Sequence, residues 1–462
     1  MIGFELIIQW TVFAIVALAL AYRGQLTIFH PVTVYLAFHC IVFCIRPTLV
    51  YFFKFDTIWE YIGFWPTDDE MILALYLSSA GLVVFAAAFA AVSPYGAPRN
   101  FVKPRKFSLG EQRAFWATAV LLVPFGIYSI FGADMQGERV GGVYIMTGTT
   151  GYINDLQQVL IPITILIIVL CRWRWFSFLP LVVFLFYRTT QGWGRWTIIL
   201  TIFALILFHT WHHRRSLPSF KYLLPLPLIM ILFANLGLDR TYVQKKLEGN
   251  EEETRDVLDE SETFESRFDT LDFANFDYLT YIVSVVPKKT ENYTYASQYL
   301  QIFTEPIPRR FWKNKPVGPP IVVFDLNDYG DFNGLTPSLV GDGWMSGGWI
   351  GALLTMAIIG GALGWFYNWF IHNQDDIFSC FIFLITNAVI VQLFRDGGIS
   401  IAKFLLFCLL PIFVWRFLAY HVFPDRDLAF PKEFIEIEPL DAHIVETPNP
   451  PPLSLNSKKT RL

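Results

Sequence analysis

Charge is scarce in this chain. Only 16% of its 462 residues are Asp, Glu, Lys or Arg, against about a quarter in a soluble domain. Cysteine is scarcer still. Cys40, Cys44, Cys171, Cys380 and Cys408 lie in or beside apolar stretches, without ligand spacing such as CxxC. They read as buried small hydrophobes, which excludes a disulfide-stapled secreted domain and a cysteine metal centre. No HExxH, P-loop or GxSxG pattern occurs, so metallohydrolase, nucleotide-phosphate and serine-hydrolase chemistry have no support, and neither a metal nor a cofactor is expected. A net charge of −4 and a pI near 6.1 offer nothing to nucleic acid. No internal repeat is visible; an inverted repeat would favour a secondary transporter.

Apolar residues make up 54% of the chain and aromatic ones 17%, with a mean hydropathy of +0.44. So much apolar surface faces lipid, and disorder is excluded. The expected fold is an all-α polytopic membrane protein with about 11 transmembrane helices. The runs that fit a bilayer's thickness are 4–22, 32–53, 70–92, 113–132, 153–171, 175–190, 195–211, 221–238, 345–370, 377–394 and 399–422. The first lacks a basic lead and a small-residue cleavage site, so it is expected to be a retained span.

Basic residues set the orientation, because cytoplasmic loops hold the excess of Lys and Arg. Arg99, Lys103, Arg105 and Lys106, then Arg172 and Arg174, then Arg214, Arg215 and Lys221 fall on one side. The opposite loop 54–69 is mostly acidic, with Asp56, Glu60, Asp68 and Asp69. The N-terminus is therefore expected outside and the C-terminus inside. Four regions follow: spans 1–8 over 1–238, a large outer loop over 239–343, spans 9–11 over 344–423, and a cytoplasmic tail over 424–462. Residues 239–277 of the loop carry 13 acidic against 5 basic residues, the signature of a solvated helical face. The Pro- and Gly-rich remainder predicts irregular structure laid over the membrane. A loop of this length is usually functional. The tail, with seven prolines and no core-forming content, predicts disorder.

Ionisable residues near hydrocarbon tend to mark function. The outward junctions collect Arg139, Arg188, Arg195, Arg240, Arg309, Arg310, Lys313, Lys315 and Arg395. Arg188 and Arg195 flank TTQGWG, a glycine-containing break between two short spans, and Arg395 lies in FRDGGIS. Guanidinium groups grip phosphate through paired hydrogen bonds, so the set fits an anionic head such as a polyprenyl pyrophosphate. Taken singly, each arginine also fits simple snorkelling to the interface. The eight histidines all fall in spans, cytoplasmic loops or the tail, so an outer-face reaction would draw its base from Asp or Glu, or use none. Carboxylates near the arginines are Asp239, Glu305, Asp342 and Asp396. Asp342 stands among tryptophans able to stack on sugars. Asp396 neighbours Arg395 and equally suits an ion-pair partner.

In their order, these features resemble the bacterial oligosaccharide repeat-unit polymerases of the O-antigen (Wzy) type, including the enterobacterial common-antigen polymerase branch. The resemblance covers nearly the whole chain. It rests on GWGRWTII around Arg195, LGLDRTYV with Arg240, IPRRFWKNKP leading into GLTPSLVGDGWMSGGWIG, and FRDGG at Arg395. It implies a GT-C-like helical glycosyltransferase of the bacterial inner membrane with its site on the periplasmic side. Such an enzyme moves a growing glycan from undecaprenyl pyrophosphate onto a lipid-linked repeat unit. Arg195, Arg240 and Arg395 are the carried-over matches, with Arg188, Arg309 and Arg310 as further pyrophosphate or glycan contacts. Asp342 occupies a place where many members carry Glu. The implied partners are undecaprenyl-pyrophosphate-linked oligosaccharides, membrane lipids and a chain-length-regulating co-polymerase. The alternatives are an O-antigen-ligase-like transferase, which relies on a periplasmic histidine, and a lipid-linked glycan flippase.

Overall fold

A helix satisfies its own backbone, which is what an apolar run needs in hydrocarbon. The computed structural model describes residues 2–55, 57–93, 107–132, 137–140, 143–146, 151–190, 195–218, 274–304, 307, 311–312 and 336–424. Within them run α1 (Ile2–Tyr22), α2 (Pro31–Phe53), α3 (Asp68–Val92), α4 (Leu109–Gly132), α5 (Leu160–Leu170), α6 (Leu179–Thr190), α7 (Arg195–His212), α8 (Asn275–Val285), α9 (Ser338–His372), α10 (Ile377–Asp396) and α11 (Gly398–His421). A two-stranded antiparallel ladder, β1 (Gly137–Val140) with β2 (Val143–Met146), joins them. Among the described residues, the seven helices α1–α4 and α9–α11 are long and apolar enough to cross a membrane. The runs expected at 153–171, 175–190 and 195–211 form shorter apolar helices. The run expected at 221–238, the acidic stretch 251–253 and the tail beyond 424 lie outside the described residues.

Local chemistry explains where several helices begin. Thr67 and Glu70 close a capping box on α3, and Ser108 and Glu111 close another before α4. Asp376 caps α10 by accepting from the backbone N–H groups of Phe378 and Ser379. Inside α2, a wide π turn at Cys40–Ile45 precedes Pro47, whose ring displaces the carbonyl one turn back.

Helices α3 and α9 run side by side in the same direction. Gly360 and Gly364 let α9 approach so closely that a Cβ at either would lie within 2.8 Å of the Phe85 or Phe89 carbonyl oxygen. Small residues four apart serve this purpose in lipid, where close van der Waals packing drives association. Phe85 and Phe89 join Tyr35, Phe394 and Tyr367 in the aromatic core between α2, α3, α9 and α10.

Two expectations need correction here. The outer loop was expected to run to 343, with its next span beginning at about 345, yet α9 begins at Ser338. Gly347 and Gly348 interrupt the helix, the latter at φ 59° and ψ −139°, a conformation that suits glycine. The first half-helix then folds back on the second. A Cβ at Gly343 would lie 2.7 Å from the Ala352 Cα, and Val340 packs beside Gly81 and near Met356. The half-helix therefore starts deep in the bundle and rises to the glycine break.

The second correction concerns α8, which lies wholly within the expected outer loop. Every residue of Asn275–Val285 is buried. It starts deep, where Asn275 Nδ2 donates to the Arg395 carbonyl at 3.0 Å. It rises toward the N-terminal end of α3, where Lys288 meets Glu70 at 3.7 Å. Its anchor is Asp277, which receives Arg46 Nε at 2.9 Å and Nη2 at 3.1 Å, with both side chains at most 1% exposed. This paired charge lets an apparently hydrophilic stretch sit among spans, because a buried carboxylate needs a partner.

Candidate functional site

The candidate site lies where four segments meet inside the bundle. These are the start of α8, the first half of α9, the α10–α11 turn, and a strap at Ser297–Leu300. Eleven residues of α8, at 1.5 Å each, separate this level from the N-terminal end of α3 by about 16 Å. The α10–α11 turn is correspondingly sunken, since Phe394 contacts Tyr35, Phe38 and Phe85. Arg395 was expected at an outward junction. Within the bundle it is buried, with 7% exposure. The turn tolerates that depth because its polar groups answer one another, the arrangement required of charge inside a helical bundle.

Asp342 is the centre of this arrangement and is 2% exposed. Its Oδ2 accepts from the Tyr299 hydroxyl at 2.6 Å and from the Gly398 backbone N–H at 3.1 Å. Its Oδ1 accepts from Gln298 Nε2 at 3.1 Å. Gln298 Nε2 also reaches Ser346 Oγ at 2.8 Å, and that hydroxyl donates to the Asp342 carbonyl at 3.0 Å. The Gly398 N–H opens α11, so the carboxylate also faces the positive end of that helix.

The double glycine of FRDGG has a geometric purpose here. Gly397 sits at φ +82°, and a Cβ there would come within 2.9 Å of Asp342 Oδ2. A Cβ at Gly398 would come within 2.7 Å of the Tyr299 ring. Two bare backbone positions thus admit the carboxylate and the phenol together. Tyr299 itself is partly exposed. Burial, with the neighbouring Asp342 carboxylate, holds its phenol above the ordinary tyrosine range, so it stays protonated and donates.

One turn away, Arg395 Nη1 lies 3.1 Å from Asp396 Oδ1, and Gln392 donates to the same carboxylate. Asn275 links this pair to the strand of chain entering α9, through the Thr336 hydroxyl at 2.8 Å and the Thr336 carbonyl at 2.9 Å. No protein-family model, curated protein or solved structure matches this chain.

The structure therefore brings Asp342, Arg395 and Asp396 together from elements about 50 residues apart in sequence. It gives Asp396 to Arg395 and leaves Asp342 with neutral donors. Arg188 is buried on α6 and donates to Gln157 Oε1 at 2.8 Å. Arg195 opens α7, and its side chain is not among those described. Arg240, Arg309 and Arg310 lie outside the described residues. His39 hydrogen-bonds Gln9, and His30 packs between Phe89 and Tyr367, tilted to the first ring and edge-on to the second.

Sequence reasoning missed Gln298, Tyr299, Ser346 and Asn275, which carry no motif. It also missed Arg46 and Asp277. A lone arginine in the apolar run 32–53 was a usable signal for a buried partner, since charge within a span needs one.

Proposed function

We propose that this chain polymerises undecaprenyl-pyrophosphate-linked oligosaccharide repeat units at the periplasmic face of the bacterial inner membrane. The observation that carries the reading is the convergence of the GDGW and FRDGG elements on one buried carboxylate beside an arginine ion pair. Eleven crossings in a GT-C-like arrangement, with the N-terminus periplasmic and the C-terminus cytoplasmic, belong to the same proposal. So do a tail in the cytoplasm and a co-polymerase that sets chain length.

In this reading an acceptor sugar hydroxyl attacks the anomeric carbon of the donor glycan. The new glycosidic bond forms as the bond to pyrophosphate breaks, and undecaprenyl pyrophosphate leaves. Arg395 stabilises the departing negative charge, with Asp396 fixing its orientation. Arg195 and Arg240 share the grip, with Arg188, Arg309 and Arg310 around them. Such preorganised donors act where charge develops in the transition state. Asp342 is the carboxylate left to take the hydroxyl proton.

Deleting the gene in its native host tests the reading. The expected result is surface glycan capped by a single repeat unit, without a ladder of longer chains. Loss of all lipid-linked glycan from the periplasmic side would instead make the chain a flippase. Free polymer not joined to lipid A would make it a ligase.

Orientation has its own test. Cysteines introduced at positions 250 and 330 should react with an impermeant reagent from outside, and those at 103 and 450 should not. The reverse pattern would place the loop, and the site beneath it, on the cytoplasmic side.

A further inference from the structure

The Asp342 carboxylate is poorly placed to meet a sugar directly. It is 2% exposed, and all three of its described donors are protein groups. One of those donors belongs to a partly exposed residue. Tyr299 is partly exposed, and its hydroxyl lies 2.6 Å from Oδ2, a short bond between a hydroxyl and a carboxylate. We propose that Tyr299 is a catalytic residue which contacts the acceptor hydroxyl and relays its proton to Asp342. The inference rests on the polymerase reading above.

The step balances as a single concerted transfer. The acceptor O–H bond breaks as its oxygen bonds to the anomeric carbon. That proton moves to the Tyr299 oxygen while the phenolic proton moves to Asp342 Oδ2. The donor's bond to pyrophosphate breaks and its electron pair leaves with the pyrophosphate. Tyr299 ends the step neutral, and Asp342 ends it protonated.

Three features of the chain serve this geometry. The phenol oxygen donates to Asp342 and retains lone pairs for an incoming hydroxyl. A phenol that resists ionisation does not lose its proton to solvent between turnovers, and Asp342 provides the destination that a lone tyrosine lacks. The missing side chain at Gly398 is what lets the ring lie over the α11 N-terminus within reach of Asp342. Gln298, on the same strap, orients the other carboxylate oxygen and Ser346 without a proton to relay.

The test uses the full chain in proteoliposomes with a lipid-pyrophosphate-linked repeat unit, scoring the rate of elongation and substrate affinity. Tyr299→Phe is expected to lower kcat about 10²-fold or more, with KM changed little. Asp342→Asn should fall comparably, and the double variant no further than the worse single, because the two act as one unit. Gln298→Leu, which also strips a donor from Asp342, should lose less than about tenfold. A merely structural role for the strap predicts equal losses from Tyr299→Phe and Gln298→Leu. That equality, or a full-rate Tyr299→Phe enzyme, would overturn the relay. A wild-type chain that makes no polymer at all would instead overturn the polymerase reading.

Discussion

Asp277→Ala is expected to destabilise the protein by about 3–5 kcal/mol, the range for breaking a buried ion pair by removing one partner. Arg46 is 1% exposed and meets Asp277 through two hydrogen bonds of 2.9 and 3.1 Å. The guanidinium cannot retreat to water, because Arg46 is buried seven residues inside the C-terminal end of α2. The bond also spans 231 positions of sequence. It is the polar tie that seats α8 among the spans, and α8 in turn places Asn275 on the Arg395 carbonyl.

Thermal unfolding of the purified protein in detergent should show a lower midpoint for Asp277→Ala and for Arg46→Ala. The double change to apolar residues of similar volume, Arg46→Met with Asp277→Leu, should recover much of the loss. A midpoint for Asp277→Ala equal to that of the wild type would show that α8 is held by its apolar packing alone.

Arg395→Lys is expected to reduce elongation by about 10²–10³-fold, the range for removing one preorganised charge-stabilising donor. Lysine keeps the charge but not the planar fork that grips a phosphate through paired hydrogen bonds, and Arg395 is held at 3.1 Å by Asp396. The protein should still insert, because insertion needs no bidentate geometry. Asp396→Asn should have a smaller effect, since Gln392 and the backbone still hold the turn. An arginine that only snorkels would tolerate lysine well. Full elongation by Arg395→Lys would therefore remove Arg395 from the leaving-group role.

The spans were legible in the sequence for a physical reason. A bilayer demands about 20 apolar residues in a row, and α1, α2, α3, α4, α10 and α11 each supply them without competition from tertiary structure. Depth was not legible. Hydropathy registers apolar length, so the buried half-helix Ser338–Met345, diluted by Gly341, Asp342 and Gly343, resembled a loop approaching a span. The sequence NFDYLTYIVSV of α8, at 11 residues, is too short for a crossing and falls almost wholly in the part of the loop expected to be irregular. Its burial depends on Arg46, which is distant in sequence and nearly invisible within an apolar run.

The candidate site divides the same way. Asp342 and the FRDGG turn stood out because charge and paired glycines beside a span are costly unless used. Tyr299 and Gln298 did not, because a tyrosine and a glutamine in a polar loop have no spacing that distinguishes them. Only the fold reveals that both point at one carboxylate.

If the proposed polymerase activity resides in this chain alone, it joins lipid-linked repeat units without any other protein. The most direct test is the purified full chain in proteoliposomes, supplied with an undecaprenyl-pyrophosphate-linked repeat unit from its host. Products would be resolved by gel and released undecaprenyl pyrophosphate counted. The expected product is a ladder of two, three and more repeats, with one undecaprenyl pyrophosphate released for each bond formed. Single repeat units that remain unjoined, with no pyrophosphate lipid released, would contradict the proposal.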